Sequence, residues 1–126
     1  MTRRNAVLLA VCVLAGAVLP MAIPAQPGDT GRELFEKRCG GCHALDRDKE
    51  GPRLGGVYGR AAGSLHSFEY SAALKKAHLV WNDRTLDEWL TDPDKLVPGT
   101  DMAARVDGRD ERNAIITFLK QNSGQK

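Results

Sequence analysis

The chain has 126 residues, with 18 Lys or Arg against 16 Asp or Glu, a formal net charge of +2 at neutral pH. That length holds one small domain with a leader and excludes two ordinary domains. The near balance of charge, with no basic stripe, excludes a nucleic-acid-binding surface.

The first segment reads as a secretory signal. Arg3 and Arg4 form its basic end, Ala6 to Leu19 is apolar, and Met21-Ala22-Ile23-Pro24-Ala25 is a small-residue exit. Cleavage is placed after Ala25, which gives a cleaved signal peptide at 1–25 and one domain at 26–126. The apolar run is shorter than the roughly 20 residues of a spanning helix. Cleavage is therefore favoured over an uncleaved N-terminal membrane anchor, which stays as the minor alternative. Cys12 leaves with the leader. Removal takes two arginines and no acid, so the mature chain has no net charge, and no membrane insertion is expected of it.

The first helix of the domain is expected from near Thr30, where Thr30-Gly31-Arg32-Glu33 fits a capping box, toward Cys39. Phe35, Cys39 and Cys42 stand at i, i+4 and i+7, which places them on one face. At its end lies Cys39-Gly40-Gly41-Cys42-His43. The spacing is the haem c attachment signature, since two thiols two residues apart reach neighbouring vinyl groups and the following His43 lies under the iron. Gly40 and Gly41 leave room for the backbone beside the macrocycle. A disulfide here would close a tiny loop and stabilise little. Half of a zinc site is the alternative, but only His66 and His78 remain as nitrogen donors, in no paired spacing. A thioredoxin-like pair would need a βαβ setting, and none is legible.

From Ala44 to Glu69 the chain shows no strong period. So long an irregular stretch suits a compact domain only if it has a task, such as wrapping a flat cofactor. A short helix is expected from Ala72 to about Lys76, and a third from Asn82 or Asp83 that must stop before Pro93. Val97-Pro98-Gly99-Thr100-Asp101-Met102 follows as a loop. After leader removal Met102 is the only methionine, and its thioether is read as the second axial ligand; a core-filling methionine is the alternative. The last helix is expected to be capped by Asp107, with Asp110 and Glu111 in its first turn and Ile115, Ile116, Phe118 and Leu119 buried. His66 and His78, Lys75-Lys76 and the run Asp46 to Glu50 read as solvated. Seven aromatics make a thin core. A buried macrocycle would add apolar contact worth roughly 25 cal/mol per Å².

With these motifs in order, the mature chain resembles mitochondrial cytochrome c and its short bacterial homologues, the class I c-type cytochromes. The resemblance runs through Gly28-Asp29, Gly31, Phe35, the haem signature, Gly51-Pro52-Arg53-Leu54, Gly59-Arg60, Phe68-Glu69-Tyr70, Trp81, Pro98 to Met102 and Ile115 to Leu119. It implies an all-α fold of about four helices and long loops wrapped around one covalently bound haem c, held by Cys39 and Cys42. It also implies roles for matched positions. The Pro52 carbonyl would accept the Nδ1 proton of His43, Arg60, Tyr70 and Trp81 would serve the haem propionates, and Thr100 would brace the Met102 loop. Gly31 and Phe35 would cross the last helix near Ile115 and Phe118. Departures are Trp89 where relatives carry a tyrosine near the methionine sulfur, Leu74 for a polar residue, and Asp101 for a lysine of the docking ring.

His43 and Met102 together would fill the iron's axial positions, which points to electron transfer and not to an enzyme. The expectation is a monomeric periplasmic one-electron carrier of a respiratory chain, meeting a redox donor and acceptor transiently. A five-coordinate haem enzyme or sensor, and a dedicated subunit of a larger oxidoreductase, are the alternatives.

Overall fold

The computed structural model describes residues 27–124; the leader read at 1–25 lies outside them. Five helices occur among the described residues: α1 (Pro27–Arg38), α2 (Ala72–Lys75), α3 (Asp83–Thr91), α4 (Pro93–Leu96) and α5 (Arg109–Gln121). The only β pairing among them is an isolated bridge between Ala61 and Val80. The all-α expectation holds.

α1 begins at Pro27, ahead of the expected Thr30, which lies inside the helix. Proline lacks an N–H, and the first helical position has no use for one. α2 and α3 start as their sequences predict. Ser71 accepts from Leu74 N–H, and Asn82 and Thr85 form a reciprocal capping box. The added helix, α4, comes from the residue that ends α3. Pro93 stops one helix and opens the next, with the Asp92 side chain accepting from Lys95 N–H. α5 is capped by Gly108 and not by Asp107, and no side chain caps it.

α1 and α5 pack against each other. Phe35 and Phe118 meet at 5.3 Å between centroids, and both are buried. Gly31 makes the close crossing possible, because a Cβ there would stand 2.6 Å from the Ala114 carbonyl oxygen. α3 packs on the same helix. Between α1 and α2 the irregular chain is held by its own bond from Leu54 N–H to Ala44 O and by the bond from Trp81 N–H, beyond α2, to Arg60 O. These loops and helices form a shell around one cavity.

Candidate cofactor site

α1 leads directly into the cysteine motif. Cys39 N–H bonds Phe35 O at 2.7 Å and His43 N–H bonds Cys39 O at 2.9 Å, so the coil continues as turns beyond Arg38. Phe35 and Cys39 share the buried face, whereas Cys42, expected beside them, is exposed. The helix has ended by then, so the i+7 spacing no longer sets its direction. Gly40 abuts the Glu36 carbonyl, 2.6 Å from a would-be Cβ, and Gly41 has open space.

Cys39, Cys42, His43, Pro52, Arg60, Tyr70, Trp81, Thr100 and Met102 all border the same cavity, of about 470 Å³. These nine come from segments spread over more than sixty positions of the chain, and the fold gathers them on one wall system. His66 and His78 are exposed and not on it.

His43 is the cavity's only histidine. Its Nδ1 lies 2.8 Å from the Pro52 carbonyl oxygen. A carbonyl only accepts, so Nδ1 carries the proton and Nε2 keeps its lone pair. Burial pushes its pKa below the usual value; the Pro52 bond opposes this and Lys49 adds to it. Gly51 lies so close to the ring that a Cβ there would stand 2.2 Å from Cε1. On the loop after α4, the Trp89 indole N–H donates to the Met102 sulfur at 3.1 Å. An indole cannot accept, so the direction of that bond is fixed. Thr100 N–H bonds Val97 O at 3.1 Å, and its hydroxyl makes a long contact with Met102 N–H at 3.5 Å.

Arg60 is half-buried and donates to Gly55 O at 3.2 Å and to Arg53 O at 3.0 Å. Five N–H groups on a guanidinium leave donors for an anion in the cavity. Tyr70 is buried edge-on to Phe68 at 5.0 Å, and Trp81 edge-on to Trp89 at 5.2 Å.

The chain's chemistry fits a haem. Leu54, Val57, Leu74, Leu86 and Leu90 give the cavity an apolar lining suited to a flat hydrophobic macrocycle. Burial, then Cys42 and Glu36, push the Cys39 thiol up to about 11, so it is held as the neutral thiol and not as a zinc-ready thiolate. Among the described residues no group of three or more His, Cys, Asp or Glu could hold a metal ion. An imidazole nitrogen, a thioether sulfur, two thiols and the half-buried guanidinium of Arg60 remain.

Helices and loops wrapped round such a cavity, with two thiols and an imidazole on its wall, define a class of protein that encloses a flat prosthetic group. The family model Cytochrome c matches residues 28–123. Cytochrome c of Euglena viridis is 42% identical over 95 residues, spanning 73% of this chain and 93% of the relative. Cytochrome c 2.1 of Caenorhabditis elegans is 40% identical over 106 residues, 82% of this chain and 96% of the relative. Among solved structures, cytochrome cH from Methylobacterium extorquens superposes with a TM-score of 0.70 at 36% identity, covering 75% of this chain and 97% of that one. The chain belongs to the cytochrome c family. It binds one haem c, covalently attached through Cys39 and Cys42, and its family is one of electron carriers.

Sequence reasoning gives Trp89 as a departure near Met102 but misses its bond to the sulfur. Arg112 lies off the cavity's lining, yet it is buried on α5. It stands at i to Ile115, Ile116 and Leu119 at i+3, i+4 and i+7, so a charge on a buried stripe is the signal that could find it.

Proposed function

We propose that the chain is an exported one-electron carrier in which His43 and Met102 are the two axial ligands of the haem iron. The observation that carries this reading is their presence on one cavity, His43 with Nδ1 committed to Pro52 and Met102 with its sulfur held by Trp89. Bound between an imidazole and a soft thioether, haem iron cycles between ferrous and ferric states at a raised potential. The chain's residues do the rest. Pro52 fixes the tautomer that leaves Nε2 free to bind and makes the imidazole a stronger donor. Arg60 supplies positive charge and N–H donors to the propionates, with Tyr70 and Trp81 beside it. The aliphatic lining keeps water from the iron.

Two filled axial positions leave none for oxygen or a substrate, and no second histidine lines the cavity to assist such chemistry. This favours a carrier over an enzyme. The leader sequence supports export to the periplasm. No helix of the described residues is long and apolar enough to cross a membrane. Partners are read as a redox donor and acceptor of a respiratory chain, met through a small transient contact, for which a monomer suffices. Arg38, on the cavity's rim, is already paired with Glu111 at 2.8 Å, and Asp101 lies on the rim too. Such a rim does not favour a cationic docking face.

Met102→Ala tests the ligand set. The haem should stay attached while the potential falls by more than about 59 mV, the shift for a tenfold change in a one-electron preference. Potentiometric titration reads it, and an unchanged potential would remove Met102 from the iron.

A further inference from the structure

Arg112 is the one charged residue buried among the described residues. From α5 it reaches two other parts of the molecule. Its Nε donates to Asp87 of α3 at 2.6 Å, and its Nη1 donates to the carbonyls of Val106 at 3.0 Å and Asp107 at 2.8 Å. Val106 N–H in turn bonds Leu90 O at 2.8 Å. The far end of the Met102 loop is therefore pinned to α3 and α5 together. The near end is pinned by Val97 N–H to Pro93 O and by Gly99 N–H to the Asp94 carboxylate. Between these anchors the ties are few: Thr100 N–H on Val97 O at 3.1 Å, the Trp89 bond to sulfur, the long Thr100 hydroxyl contact, and Arg105 on Asp92 at 3.0 Å.

A buried charge is costly to strand, so this anchor holds only while all its partners are in place. We infer that Arg112 and Asp87 form a clamp that sets how firmly Met102 is held on the iron. Arg112 touches neither haem nor ligand; it is a positioning residue that acts through Val106 and Asp107. Releasing it would free the chain from Ala103 to Asp107 and let the thioether swing out of the cavity. The inference rests on Met102 being an axial ligand.

The test uses holoprotein, parent and two variants, Arg112→Met and the milder Asp87→Asn, which keeps size and an acceptor oxygen. Imidazole is titrated into the ferric protein, where it must displace Met102. Exchange of the Val106 amide proton is followed alongside. A hydrogen bond to a charged partner accounts for about a tenfold change in such an equilibrium. Asp87→Asn should therefore bind imidazole about tenfold more tightly and exchange Val106 N–H about tenfold faster. Amides in α1 should keep their parental protection. Arg112→Met should show a larger effect, and if it does not fold, Asp87→Asn carries the test alone. Unchanged imidazole affinity in a folded Asp87→Asn protein, with the far-red methionine band present in the parent, would overturn the clamp and leave the ligand intact. A parent without that band would overturn the ligand itself.

Discussion

Gly51 shows what a single position must do for the proximal side of the site. Its backbone lies against the imidazole of His43, and the next residue offers the carbonyl that takes the Nδ1 proton. Gly51→Ala should push a methyl into that ring and cost about 1–3 kcal/mol, the usual range for overpacking. Thermal melting of the holoprotein, with the Nδ1 proton resonance of His43, checks this; a parental melt and an unmoved resonance would contradict it. Cys39, Cys42 and His43 were legible because covalent attachment demands a fixed local spacing, and Met102 because it is the mature chain's only methionine, on a Pro-Gly loop. Pro52, Arg60, Tyr70, Trp81 and Thr100 came only from the family resemblance, and all nine lie on the cavity's wall. The burial of Arg112 is legible from its place on the apolar stripe of α5, but what it binds is not. Its partners are a carboxylate 25 positions away and two backbone carbonyls, and neither leaves a mark in a one-dimensional pattern.

At the scale of elements, helix interiors are written in the apolar spacing of the chain and helix ends are not. Apolar spacing decides what is buried, and α5 buries Ile115, Ile116, Phe118 and Leu119 as its period requires. Ends depend on which group takes the last free N–H or C=O. Asp107 gives its carbonyl to Arg112, and the cap falls to Gly108. The four-residue α4 is too short for any periodicity to show. One contact between elements carries a pH dependence. Tyr58 donates to the Asp83 carboxylate at 2.6 Å, and Lys120 of α5 approaches it at 3.4 Å. The Tyr58 bond first, then Lys120, hold Asp83 below its usual carboxylate value. A depressed folded pKa adds stability that is present above the unfolded value, about 3.9, and is lost as pH falls through the folded one. Melting temperatures of the parent and Asp83→Asn should therefore differ slightly at neutral pH and converge in acid below about pH 4. A gap that persists unchanged into acid would contradict the assignment.

For the whole molecule, the cavity is the governing feature. Its walls include Leu54, Val57, Leu74, Leu86 and Leu90, and a macrocycle packed on them would remove apolar surface from water at roughly 25 cal/mol per Å². The haem is thus the centre of the core, which explains both the few aromatics and the long irregular stretch from Ala44 to Glu69. The sequence showed the thinness of the core and the length of the loop. It could not show that α3 would supply both Trp89 to the Met102 sulfur and Asp87 to Arg112, because that joint role exists only once α3 and α5 pack. If His43 and Met102 hold the haem in this cavity, the visible spectrum of the exported holoprotein, recorded in both oxidation states, is that of a low-spin c-type haem, with the weak far-red band of methionine sulfur on ferric iron. A high-spin ferric spectrum, or protein without haem, would contradict it.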